Sequence, residues 1–299
     1  MRHIEFIKKL YHLSPSQLVN AIRLRRRKAS YRRANPSAPL ARKLTPFYYS
    51  RRDPLIQKAV ERIWLGEDLN AVMRGFKGNA YDDRMIEYPY FAAWLMQRQT
   101  GLDILDVGCV LNHRLIANFL LERCNRVWLC NPSVEYKLYI RNPVFYHVAT
   151  LERSFPGGEQ FQLVTCLSTI EHIGYDNSHY GSDDPPRYHR PAAEPLLNSL
   201  AKLSRLVAKG GSLLISVPFG YREALVHPAT FKIASQVFDY PALLQGKEVL
   251  GQGGVDCEIE TFAATDNGWI STDPRHVDAR YADGCPAAGA VAFIKGKKR

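Results

Sequence analysis

Three apolar runs, each ending in a turn or a polar tip, constrain this chain more than any other feature. The first is Ile104-Leu105-Asp106-Val107-Gly108-Cys109, followed by a turn and a helix-like segment over 115–121. The second, 163–167, runs into the polar tip Ser168-Thr169-Ile170-Glu171-His172. The third, 212–217, follows Gly210-Gly211 and ends at Pro218. Runs this short and apolar read as strands buried on both faces, and helical segments between them imply a parallel sheet. The glycine turn after the first run is where such a sheet opens a nucleotide-type cofactor site, with backbone amides available to a ligand.

The other elements fall into place around these. Residues 127–130 and 144–148 read as the second and third strands. Residues 195–207 form the helix between the fourth and fifth strands, with Gly210-Gly211 as its stop. Asp53-Pro54 predicts a helix start, with Asp53 as cap and Pro54 at the first helical position, running to Trp64. Residues 91–96 predict a helix just before the first strand. Beyond Pro218 the chain reads as irregular until 288–294, an apolar run suited to the last strand.

Charge divides the chain. The net charge is +11, yet residues 1–53 hold fourteen Lys/Arg against Glu5 and Asp53, a local +12 that leaves the other 246 residues near neutral at −1. Two short helices, 4–10 and 17–28, and a Pro/Ser/Ala/Arg linker over 30–46 read as a basic arm. Residues 1–52 are therefore taken as arm and linker, and 53–299 as the main domain. Such an arm attracts an anionic membrane, here through residues 1–45, or nucleic acid, less favoured because the body is nearly neutral. A solvated lead-in explains the same charges equally well. The six cysteines show no Cys-x-x-Cys pair, no run approaches eighteen apolar residues, and the N-terminal residues hold no signal-type apolar segment. These features predict a cytoplasmic protein without disulfides, with peripheral contact at the inner membrane face as the extension of that reading.

Taken together, Leu105–Cys109, the run from 163 to Ser168 and the segment 206–214 resemble the class I S-adenosylmethionine-dependent methyltransferases. Arg84-x-x-Glu87-Tyr88-Pro89, Ser168-Thr169-Ile170-Glu171-His172-Ile173-Gly174 and Tyr180-Gly181 resemble a branch associated with bacterial cell-surface polysaccharide biosynthesis. The resemblance spans about residues 84–218. It implies an α/β fold, a doubly wound, seven-stranded Rossmann-like methyltransferase sheet preceded by the helical basic extension. It also implies S-adenosylmethionine as cofactor and a small-molecule or glycan acceptor, methylated on a hydroxyl. Val110 departs from the family, which often carries a second glycine there so that backbone can approach the cofactor closely. An RNA methyltransferase and a non-catalytic scaffold of the same fold are the rival readings.

The resemblance distributes roles over particular residues. Asp106, Gly108 and Cys109 belong to the cofactor's methionine side, with Asp106 expected to meet its ammonium or water. Asn131 stands where the family has an acid for the ribose hydroxyls, although a turn before Pro132 accounts for it too. Glu135 is the substitute one turn on. Thr150 falls near the adenine side and Ser168 at the tip of the fourth strand. Glu171 and His172 lie where the methyl group is transferred, and a histidine suits removal of a hydroxyl proton. The bland reading makes both loop anchors. His113, His179 and His189 are further bases. Asp183 and Asp184 with His179 show no metal-ligand spacing, so no metal is expected. Residues 175–190 suit a lid or acceptor wall, with 219–240 and Trp269 completing the acceptor side.

Overall fold

A computed structural model describes residues 48–299 apart from 77–80, 134–137, 139–142, 156–157, 179–186, 188–189, 191, 227–231 and 282–287. The two arm helices and the linker lie outside the described residues. Helices α1 (Tyr48–Trp64), α2 (Leu69–Met73) and α3 (Arg84–Met96) precede β1 (Leu102–Val107). Then come α4 (Arg114–Arg123), β2 (Cys124–Asn131), β3 (Val144–Val148) and β4 (Phe161–Leu167). A 3-10 turn (Ile170–His172), α5 (Glu194–Leu206) and β5 (Val207–Pro218) follow. The C-terminal third adds a small hairpin, β6 (Ala224–Val226) with β7 (Ile233–Gln236), and helix α6 (Tyr240–Gln252). It closes with β8 (Val255–Thr265), β9 (Gly268–Thr272) and β10 (Ala290–Lys298).

One sheet runs in the order β3-β2-β1-β4-β5-β10-β8-β9. The pairs from β3 to β5 are parallel, and β10 is antiparallel to both β5 and β8. This is a doubly wound α/β fold. Period-two alternation builds both of its cores: Ile104, Leu163 and Phe293 face the layer of α1–α4, whereas Leu105, Val164 and Ile294 face α5 and α6. Gly246 lets those two helices close, because a Cβ there would meet the Leu200 side chain at 2.6 Å.

Several expectations need correction. The sheet has eight strands among the described residues, because the β8–β9 hairpin adds an edge strand beyond the seven foreseen. Among the described residues, the stretch beyond Pro218 is ordered into four strands, a helix and a 3-10 turn (Pro274–His276) before β10. The helix through Trp64 includes Tyr48–Arg52, so Asp53 is no cap. Its carboxylate instead pairs with Arg52 at 2.8 Å and Arg114 at 3.0 Å, and Arg52 also pairs with Asp82 at 2.8 Å. Helix α3 begins seven residues before the expected 91, at Arg84. Gly210 and Gly211 lie within β5, not at a helix stop. A Cβ on Gly211 would meet two backbone carbonyls, of Ala208 and Gln162, at 2.8 Å, so close strand approach demands glycine there.

Candidate active site

The order of the sheet decides where a ligand can sit. From β1 the chain proceeds outward to β2 and β3 on one side, then crosses to β4 and β5 on the other. The carboxyl ends of β1 and β4 therefore splay apart at a switch point. A cavity of about 540 Å³ opens there, within the usual range for small-molecule sites. Its wall brings together Gly108, Asn131, Thr150, Ser168, Glu171 and His172. Asp106 and Cys109 are not in that wall.

The turn after β1 explains both omissions. Asp106 is fully buried, and its carboxylate accepts from the Leu111 N–H at 2.8 Å and the Thr165 hydroxyl at 2.8 Å. The partner foreseen in a ligand is supplied by the protein's own turn. Burial still pushes the Asp106 carboxyl up to about 6, opposed by those hydrogen bonds. Gly108 adopts φ +102° and gives its N–H to the Cys130 carbonyl at 2.7 Å, while Asn112 N–H bonds the Cys109 carbonyl at 3.2 Å. The amides of Gly108, Leu111 and Asn112 are thus spent inside the structure and not turned to a ligand. Cys109, at φ +56°, packs against the core facing α1–α4. The Tyr88 hydroxyl donates to the Val110 carbonyl at 3.1 Å. His113 caps α4, its Nδ1 accepting from Leu115 N–H at 3.3 Å, and burial pulls its imidazole down to about 4.

At the end of β2, the Asn131 side chain donates to the Ser133 carbonyl at 3.4 Å. The neighbouring Ser133 is 4% exposed and lines the cavity, and its hydroxyl has no hydrogen-bond partner among the described residues. Sequence reading passed over Ser133, since a serine after Asn-Pro is an ordinary turn residue. Glu135 lies outside the described residues. Cys130 also faces the cavity, with its thiol pushed up to about 11 by burial, so it is no thiolate nucleophile.

The tip of β4 is held from elsewhere. Ser168 takes φ +38°, and its N–H reaches the Ser216 carbonyl at 3.1 Å and hydroxyl at 3.0 Å. The hydroxyls of Ser168 and Ser216 both donate to the carboxylate of Glu87, which is fully buried and ion-paired with Arg84. Burial lifts the Glu87 carboxyl above its ordinary range while Arg84 opposes the shift. No single-sequence signal assigned Glu87 this place, although it stands in the quoted Arg84–Pro89 motif.

On the 3-10 turn that follows, His172 sets its Nδ1 at 2.9 Å from the Ala234 carbonyl. A carbonyl only accepts, so in the neutral imidazole Nδ1 carries the proton and Nε2 carries the lone pair. Asn177 braces the turn by donating to the His172 carbonyl at 2.7 Å. Glu171 is 4% exposed and its Oε1 lies 3.9 Å from His172 Nε2, while its Oε2 has no hydrogen-bond partner among the described residues. Desolvation raises the Glu171 carboxyl well above its usual range.

On the acceptor side, Leu225 and Ser235 of the β6–β7 hairpin line the cavity, as do Tyr49, Tyr175 and Tyr281. Trp269 does not. It is buried in the core facing α1–α4, where its glycine neighbour Gly268 approaches the Met73 carbonyl. His179, Tyr180, Asp183, Asp184 and His189 lie outside the described residues. Among the described residues, no three His, Cys, Asp or Glu side chains gather as metal ligands, and no helix is long and apolar enough to cross a membrane.

No family model matches the chain, and no curated protein does. Solved structures give faint likenesses. The N-methyltransferase NodS of Bradyrhizobium japonicum, crystallised with S-adenosylhomocysteine, is 10% identical at TM-score 0.43, over 81% of this chain and 98% of that one. A didemethyltoxoflavin N1-methyltransferase of Burkholderia thailandensis is 14% identical at 0.41, over 85% and 90%. An S-adenosylmethionine-dependent methyltransferase of Mesorhizobium loti is 12% identical at 0.45, over 71% and 97%.

Proposed function

We propose that this protein is an S-adenosylmethionine-dependent methyltransferase that methylates a hydroxyl of a sugar or glycan precursor. The observation that carries the reading is the switch-point cavity, with a histidine and a buried carboxyl on the same turn at its β4 side. The cavity's polar atoms fit such a cofactor. Asn131 and the Ser133 hydroxyl, unpaired among the described residues, stand at the end of β2, where two ribose hydroxyls need partners. Thr150 borders the same end, and Gly108 and Ser168 border the other. When bound, the cofactor supplies an electrophilic methyl group.

The chain's own residues then have three tasks. Asn131 and Ser133 anchor the ribose end. Glu171, buried beside His172, hydrogen-bonds a polar group of the acceptor and orients it. His172 Nε2 takes the proton of the acceptor hydroxyl as that oxygen receives the methyl, and the Ala234 carbonyl keeps the imidazole in the tautomer this needs. Asp106 and Cys109, given to the cofactor by resemblance, act here through the shape of the turn. The basic segment 1–45 brings the enzyme to an anionic membrane surface where lipid-linked glycans are assembled.

Transfer of radiolabelled methyl groups tests the substrate class. Purified protein is incubated with labelled S-adenosylmethionine and, separately, nucleotide sugars, lipid-linked glycans and structured RNA. Label in a sugar fraction that a His172→Ala variant no longer produces supports the reading. Label in RNA alone would replace the substrate class and leave the activity.

A further inference from the structure

The segment Arg84-x-x-Glu87-Tyr88 is the sequence motif that the proposed chemistry leaves unused. Its side chains reach the two loops between which the cavity opens. Glu87, fully buried in the first turn of α3, accepts from the hydroxyls of Ser168 at the tip of β4 and Ser216 near the end of β5. Those partners lie 81 and 129 residues away in sequence. The remaining carboxylate oxygen binds Arg84, whose guanidinium is itself part of the cavity wall. One residue on, the Tyr88 hydroxyl holds the Val110 carbonyl of the β1 turn at 3.1 Å. Val110 stands where a glycine would let the turn choose its own path, and Tyr88 fixes that path instead.

We propose that Glu87 is a positioning residue of the site: it sets Ser168, and through it the backbone carrying Glu171 and His172, at a fixed offset from the β1 turn that Tyr88 holds. A carboxylate only accepts, so the protons of both serine hydroxyls are directed at it and Ser168 turns lone pairs elsewhere. Ser168 holds φ +38°, a backbone state that persists only when its surroundings over-determine it. Glu87 and Ser216 supply that determination, since Ser216 also accepts the Ser168 N–H through both its carbonyl and its hydroxyl. A buried ion pair serving overall stability alone is replaceable, both partners together, by apolar groups of similar volume at little cost. Here two of the three partners of Glu87, Arg84 and Ser168, face the ligand space.

The proposal rests on the cofactor reading for its binding readout, and a second readout is independent of it. The full chain is compared with Glu87→Gln, Glu87→Ala and Ser216→Ala. Amide hydrogen exchange over residues 165–173 is followed beside that over β1 and β5, together with calorimetric titration of S-adenosylhomocysteine. In Glu87→Gln, exchange should quicken at 168–173 about tenfold or more while β1 keeps its protection, and affinity should fall about tenfold or more through misplacement. The glutamine still offers an oxygen to the serines, so Glu87→Ala should lose more than Glu87→Gln. Once an acceptor is known, the loss should also appear in kcat and not only in KM. Unchanged exchange and affinity in Glu87→Gln would overturn the proposal, as would equally faster exchange over the whole sheet, which assigns Glu87 to stability alone. If Glu87→Gln fails to fold, Ser216→Ala, with the carboxylate in place, decides by the same exchange pattern. If the unsubstituted protein binds no S-adenosylhomocysteine, the cofactor reading fails while the exchange data still decide the role of Glu87.

Discussion

The turns after β1 and β4 face each other across the same cavity, yet they are built in opposite ways. The β1 turn spends its amides on the strands beside it, and Tyr88 of α3 holds its Val110 carbonyl. Asp106, from its own strand, takes the Leu111 amide, and Gly108 gives its amide to Cys130. The β4 tip is held from outside by Glu87 and Ser216, and it leaves Glu171 Oε2 without a hydrogen-bond partner among the described residues. A loop whose polar groups are all spent gives shape. A loop with an unspent buried group gives chemistry, because leaving such a group unpaired costs free energy that a ligand can offset.

Substitutions can break this division of labour. The largest effect is expected at the chemical turn: His172→Ala should lower kcat between about a hundredfold and ten-thousandfold, with S-adenosylhomocysteine affinity within about threefold of the parent. Loss of affinity on the same scale would place His172 in cofactor binding instead. The two turns touch at Gly108, where a Cβ would stand 2.0 Å from Thr169 Oγ1 in a backbone state that disfavours side chains. Gly108→Ala should therefore cost roughly 2–5 kcal/mol in denaturant unfolding, and a cost under 1 kcal/mol would show that the turns are not in register. Asp106→Ala strands the Leu111 amide, leaves the Thr165 hydroxyl only its long bond to the Leu105 carbonyl, and should cost about 2–4 kcal/mol.

A pH series sharpens the shaping role of the β1 turn. His113 is pulled down to about 4 from an ordinary 6.5, so the unfolded chain binds its proton first as pH falls. Its contribution to stability is complete above about pH 6.5 and disappears as pH drops through about 4. The swing is about 3 kcal/mol at most, by linkage. Asn caps a helix as well as His113 does, so His113→Asn should remove that slope and leave stability near pH 7 within about 1 kcal/mol. Asp106 titrates with the opposite sign over part of this range, and the difference between the two proteins isolates His113.

Much of this was legible in the residues, for a physical reason. Strands buried on both faces must be continuously apolar, so β1, β4 and the core of β5 declare themselves. The carboxyl ends of parallel strands lie on one side of the sheet, and the family resemblance of the motifs at those ends pointed to Gly108, Asn131, Ser168, Glu171 and His172. The C-terminal third was less legible. β8 alternates Val255, Cys257 and Ile259 with Asp256, Glu258 and Glu260, a half-buried pattern without the continuous apolar run of the parallel strands, and α6 carries Gly246 and Gly251, which weaken a helix signal. The side Asp106 would face was not legible either, because it depends on the path of a turn carrying Val110 in place of glycine. Ser133, Ser216 and Glu87 owe their places to packing across the sheet. Their own neighbourhoods in sequence carry no trace of it.

Calorimetric titration of the folded full-length protein with S-adenosylhomocysteine tests the central claim most directly. The account expects one site per chain with a dissociation constant in the micromolar range, weakened about tenfold by Asn131→Ala with Ser133→Ala, each of which removes a hydrogen bond at the ribose end. No heat of binding at millimolar ligand, in a sample whose unfolding is cooperative, would contradict it and leave a doubly wound α/β fold put to another use.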